Sequence, residues 1–156
     1  MIRCMTAFVL ATALMVPAMA QNAATTNMEI LRQKIKADKR LVVAQNLNLT
    51  DEEGAKFWPV YEAYQKDLQQ IDERLATAIL AYADAYNKGP VTNESAKKLL
   101  DEYLAIDDAE AKLKSATTPK ILAALSAVKA ARYVQIENKI RAAVRYELAT
   151  AIPLVE

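Results

Sequence analysis

The stretch Leu47–Tyr64, LNLTDEEGAKFWPVYEAY, decides the fold, because it opens a long helix with full punctuation. Thr50 is placed as the N-cap: its hydroxyl can accept from the backbone N–H of Glu53, while the Glu53 carboxylate accepts from the N–H of Thr50. A threonine N-cap contributes about 1 kcal/mol. Asp51, Glu52 and Glu53 put negative charge at the positive end of the helix dipole. From Phe57 the apolar residues step by four and three through Tyr61, Tyr64, Leu68, Ile71, Leu75, Ala78 and Tyr82. That spacing is a heptad seam, which specifies packing on another long helix at a shallow angle. The run is predicted to last to Tyr86 and to stop at Asn87-Lys88-Gly89-Pro90, with Gly89 as C-cap. A rod of roughly 37 residues is about 55 Å long, so it needs an equally long neighbour or a second subunit. Pro59 cannot donate to the carbonyl of Ala55, which predicts a bend near Ala55 to Pro59. Phe57 and Trp58 sit at that place, either filling the core or offering an aromatic contact to a partner.

Outward from this helix the pattern stays helical. Strand-like alternation is nowhere sustained, and good helix formers dominate. A first helix is predicted from about Met28 to Gln45, with Leu31, Ile35 and Val42 on one face and a break at Asn46 to Asn48. Thr92 can cap a third, whose seam reads Leu99, Tyr103, Ile106 and Leu113, with Glu110 at the heptad site between the last two. A carboxylate there faces solvent or meets a cation such as Arg141 or Arg145, and acts as a polar register pin rather than a ligand. Thr117-Thr118-Pro119 reads two ways, as a new helix start with Pro119 at its first position or as a kink in a continuing helix. A last helix, beginning afresh at Ser126 and running to about Ala149, carries the apolar stripe Tyr133, Ile136, Ile140, Val144 and Leu148. Beside it runs a polar stripe of Asn138, Arg141 and Arg145, and Glu137 stands four residues before Arg141 as an ordinary surface pair. The fold class is therefore all-α, four long helices, kinked or not at Pro119, in one domain over residues 28–156.

The first twenty residues predict export. Arg3 precedes an apolar run from Met5 to Val16, and Ala18-Met19-Ala20 offers the small-x-small pattern of a signal peptidase site. The run is shorter than the ~20 residues of a membrane span, so residues 1–20 are expected to be cleaved and no stable membrane insertion to follow. Residues 21–27, QNAATTN, read as a flexible mature N-terminus, and the expected compartment is the periplasm. Cys4 is the only cysteine and there is no histidine, so the cleaved chain could not build a disulfide, a thiol or imidazole nucleophile, or a His/Cys metal site. The two glycines cannot write a phosphate loop, and without histidine a Ser-His-Asp triad is impossible. These absences predict a protein that is not an enzyme and needs no cofactor. Without Arg3 the acidic and basic side chains balance at 19 each, which disfavours nucleic acid as a partner.

Leu47-Asn48-Leu49-Thr50-Asp51-Glu52-Glu53, opening a long helix in an exported helical chain, resembles the first LTxxQ motif of the Spy/CpxP family. A degenerate second copy lies at Leu125-Ser126-Ala127-Val128-Lys129. Glu53 stands where the first motif has glutamine, and Lys129 stands there in the second. The resemblance implies a small periplasmic protein of long helical hairpins, commonly an antiparallel homodimer shaped as a cradle. It also implies an ATP-independent chaperone or a stress-responsive adaptor. Its motif residues here are Leu49, Thr50, Glu53, Leu125 and Ser126.

The leading functional expectation is a holdase-like binding protein that grips unfolded or partly folded periplasmic proteins in envelope stress. An adaptor that binds the sensor domain of a stress kinase is the alternative, and a structural envelope protein is a third. Candidate contacts are Phe57, Trp58, Tyr61, Arg132, Arg141 and Arg145. The basic stripe reads as a solvated face or as a site for an acidic client. No metal site is expected, since Asp107, Asp108 and Glu110 suit a hard cation poorly without a dedicated loop.

Overall fold

The computed structural model describes residues 38–155. The expected signal segment and flexible mature N-terminus, and the start of the first helix, lie outside the described residues. The chain divides into two units, Met1–Val42 and Val43–Glu156. Of the first, residues 38–42 are described and are helical. All the described elements are helices: α1 (residues 38–47), α2 (Asp51–Lys88), α3 (Asn93–Ala124) and α4 (Ala127–Ala151).

Within the second unit, α1 runs two residues beyond the Gln45 end read from its sequence. Leu47 is buried in the core and pulls the last turn with it, and Asn48 then ends the helix at φ 46°, a left-handed backbone that asparagine tolerates better than most residues. The capping box that opens α2 is complete: Glu53 N–H donates to Thr50 Oγ1 at 3.2 Å, and Thr50 N–H donates to Glu53 Oε2 at 2.9 Å. α2 is continuous through Pro59, so the N–H that Pro59 lacks leaves the Ala55 carbonyl without its helical donor but does not end the element. It ends at Lys88 rather than Tyr86, where Gly89, at φ 132°, supplies a backbone that a side chain would resist. Its 38 residues make a rod of about 57 Å.

Thr92 caps α3, and the reading of Thr118-Pro119 resolves in favour of a continuing helix: α3 passes through Pro119 to Ala124. Thr118 Oγ1 instead bonds back to the carbonyl of Lys114 at 2.8 Å. The new start falls at Ser126, whose side chain accepts from the N–H of Lys129, so only Leu125 and Ser126 join α3 to α4. Leu125 is buried in that link, which anchors the turn.

The main core gathers Val43, Leu47, Phe57, Tyr61, Ile121, Leu125, Ala130 and Tyr133. It lies where α2 begins, α3 ends and α4 begins. The α2 seam is inward as its spacing demands, with Phe57, Tyr61, Tyr64, Leu68, Ile71 and Tyr82 all buried. Three residues expected on inward faces are exposed: Val42 at 40%, with Val43 buried in its place, Tyr103 at 46% and Val144 at 56%. For the last two the reason is the spacing of the helices. α2 and α3 approach closely along their length, whereas α4 approaches α3 over a shorter stretch and leaves these positions uncovered.

Candidate functional site

Thr50 caps the head of α2 and Ser126 the head of α4, and a side-chain pair links the two helix starts. Lys129 Nζ reaches Glu53 Oε2 at 2.6 Å and the carbonyl of Asn48 at 2.9 Å. The third helical residues of α2 and α4 thus pair with each other, acid with base. The Lys129 ammonium beside it, followed by the Thr50 N–H, holds the Glu53 carboxyl below the usual range. Leu49 packs partly buried against the core while Leu125 is part of it, so these motif positions secure the helix starts.

The aromatic candidates separate. Phe57 is 0% exposed and Tyr61 2%, both inside the core, which places them out of reach of a client in the folded chain. Phe57 meets Trp58 and Tyr133 edge to face with centroids 5.1 Å apart in each case, and Tyr61 lies 5.9 Å from Phe57. Such pairs add to the burial of the rings. Trp58 alone of the three is partly exposed, and it lines an open groove of about 620 Å³ with Leu49, Gly54 and Pro59.

The basic candidates also separate. Arg132 is exposed, with Nη1 donating to the carbonyl of Asn46 over a long 3.5 Å. Arg141 and Arg145 do not form a free cationic stripe. Arg145 Nη2 lies 2.8 Å from Asp107 Oδ1 and 3.0 Å from Glu110 Oε2, and Arg141 pairs with Glu110 and, at 3.6 Å, with Asp72. Glu110 thus meets both of the arginines named for it. The Asp107 carboxylate, as hydrogen-bond acceptor, raises the Arg145 guanidinium above its ordinary value against the opposing effect of burial.

Glu137, which reads as a surface partner of Arg141, is instead 3% exposed and accepts from Gln65 Nε2 at 3.3 Å. Beside it, burial and then the Glu137 charge push the Tyr64 phenol up to about 12, while Arg141 opposes the shift. The same two causes push the Tyr133 phenol upward. Glu53–Lys129 and Glu137–Gln65 are the features that sequence reasoning missed. Opposite charges at equivalent places in the two motif copies were the one available signal for the first.

Away from the core, where α2 ends and α3 begins, apolar side chains face solvent. Leu100, Tyr103 and Leu104 lie at i, i+3 and i+4 on α3 and form one exposed patch. On another face of α3, a shallow groove of about 540 Å³ between α2 and α3 is floored by Ala78, Ala81, Ala85 and Leu99. The Arg74–Glu102 pair, at 3.0 Å, stands at its rim. Among the described residues no group of three or more His, Cys, Asp or Glu could hold a metal ion, and no helix is long and apolar enough to cross a membrane. Compared with known protein families, curated proteins and solved structures, the chain matches none.

Proposed function

We propose that the protein is a non-enzymatic helical binding protein of the periplasm with holdase-like activity, built on antiparallel helical hairpins in the manner of the Spy/CpxP family and working as a homodimer. The observation that carries this reading is the exposed apolar patch of Leu100, Tyr103 and Leu104 on α3. An exposed apolar patch suits transient capture of unfolded chains, which offer apolar side chains without a fixed shape. The client surface moves accordingly from Phe57 and Tyr61 to the α2/α3 end, and Trp58 remains as an outlying contact. Side-chain pairs support the hairpin order: Asn138 meets Lys114 and Arg145 meets Asp107, so numbers fall on α3 as they rise on α4. Glu53 meets Lys129, Gln65 meets Glu137 and Asp72 meets Arg141, so α2 and α4 run the same way on either side of the reversed α3.

The test is light scattering of a chemically unfolded model protein diluted into buffer with equimolar purified protein and no ATP. Suppressed aggregation is the expected result. Unchanged aggregation combined with capture of one saturable sensor domain would favour the adaptor, and neither would favour a structural role.

A further inference from the structure

We infer that the distal half of α4, residues 137–151, is a strap held across α2 and α3 by an ion-pair latch, and that it lifts when the latch is screened. The two halves of α4 are held by different forces. Its proximal half places Ala130 and Tyr133 in the aromatic core. Beyond Tyr133 the one fully buried residue of α4 is Glu137, a carboxylate, while Val144 and Tyr146 face solvent. Ile140 and Leu148 are half-buried here, and the specific ties to α2 and α3 are polar. Lys114 Nζ donates to Asn138 Oδ1 at 3.0 Å, and Gln65 donates to Glu137. Arg141 spans Asp72 on α2 and Glu110 on α3, Arg145 spans Asp107 and Glu110, and Tyr82 Oη donates to the carbonyl of Pro153 at 3.1 Å.

Glu110 is the centre of the latch. Its side chain is 14% exposed and that of Arg141 15%, so the two are largely shielded, but Asp72, Asp107 and Arg145 around them are open to solvent. Attraction among partly exposed charges falls with salt, since the screening length shrinks from about 10 Å at 0.1 M to about 3 Å at 1 M. Apolar burial in the proximal half does not weaken with salt in this way. A helix fixed at one end by packing and at the other by charge opens from the charged end. Lifting uncovers the inward residues at that level, Tyr64, Leu68 and Ile71 on α2 and Ile106 on α3, and so enlarges the exposed apolar surface. Use of that surface for clients rests on the binding-protein reading; the lifting does not.

The experiment is hydrogen exchange of the purified protein at low and high NaCl, followed segment by segment. Exchange of residues 141–151 is expected to rise about tenfold between about 0.05 M and about 1 M salt, with segments 57–64 and 121–133 unchanged. Glu110→Gln should produce the same local rise at low salt. Arg145→Gln, which takes the cation away from both Asp107 and Glu110, should act in the same direction. The inference is overturned if 141–151 stays as protected as the core under both salt and Glu110→Gln, or if the core loses protection together with it. Binding of a labelled unfolded peptide separates the two claims: a lifted strap without increased peptide binding upholds the strap and counts against the client reading.

Discussion

Replacing Phe57 with alanine tests where the aromatic residues act. Phe57 is fully buried, with edge-to-face rings of Trp58 and Tyr133 both at 5.1 Å and the Tyr61 ring at 5.9 Å. Truncation removes the transfer free energy of the ring and leaves a cavity that three large rings can only partly refill, a loss of about 3–5 kcal/mol. Lost ring–ring contacts put the effect toward the upper end. Small domains have about 5–15 kcal/mol in total, so Phe57→Ala should remove a large share of stability and lower Tm by on the order of 10–20 °C. Trp58→Ala, at a partly exposed position, should cost distinctly less. Urea unfolding followed by far-UV circular dichroism measures both. A loss below about 1 kcal/mol at Phe57, with client binding abolished, would refute the assignment of this ring to the core.

Raising pH should destabilise the protein between about 10 and about 12. The unfolded Tyr64 ionises near its ordinary 10, whereas the folded one keeps its proton to about 12, so the folded state binds more protons in that window and stability falls as pH rises; Tyr133 acts in the same direction. Thermal melts at stepped pH check this, and Tyr64→Phe should flatten the fall. Lys129→Glu should destabilise the junction of the motif copies, and Glu53→Lys in the same chain should recover much of the loss, read as a double-mutant cycle in urea. The Glu53 carboxyl should titrate below 4.5 by NMR, and Lys129→Gln should move it back up. Thr50→Ala should cost about 1 kcal/mol, as loss of an N-cap does, with no change in any binding activity.

Local chemistry made much of this fold legible. The capping box at Thr50 and Glu53 needs residues three apart, and the α2 seam is a matter of period, so both can be read from neighbours along the chain. Thr118-Pro119 could not be decided that way, because the same two residues suit a helix start and a helix interior. Ser126 and the buried Leu125 decided it from outside. Tyr103 and Val144 carry the right period but lack cover, since burial depends on how far away the next helix lies. The α3–α4 spacing is a tertiary property that no single helix encodes. Glu137 misled for a related reason. At i to i+4 from Arg141 it looks like half of a surface pair, and only Gln65, 72 residues earlier, makes it an interior acceptor. The Glu53–Lys129 pair spans 76 residues and is equally invisible to local reading. Of the candidate contacts, the arginine–Glu110 pairing could be anticipated from heptad position, whereas the exposed patch at Leu100, Tyr103 and Leu104 could not.

That patch bears the central claim, and the direct test is aggregation suppression by the triple variant Leu100→Ser, Tyr103→Ser, Leu104→Ser beside the unaltered protein. The three residues are exposed, so the variant should keep its helical content and Tm within a few degrees. The account predicts that the unaltered protein suppresses aggregation of an unfolded model protein at equimolar ratio and that the folded variant loses most of this effect. Equal suppression by the two proteins would contradict it.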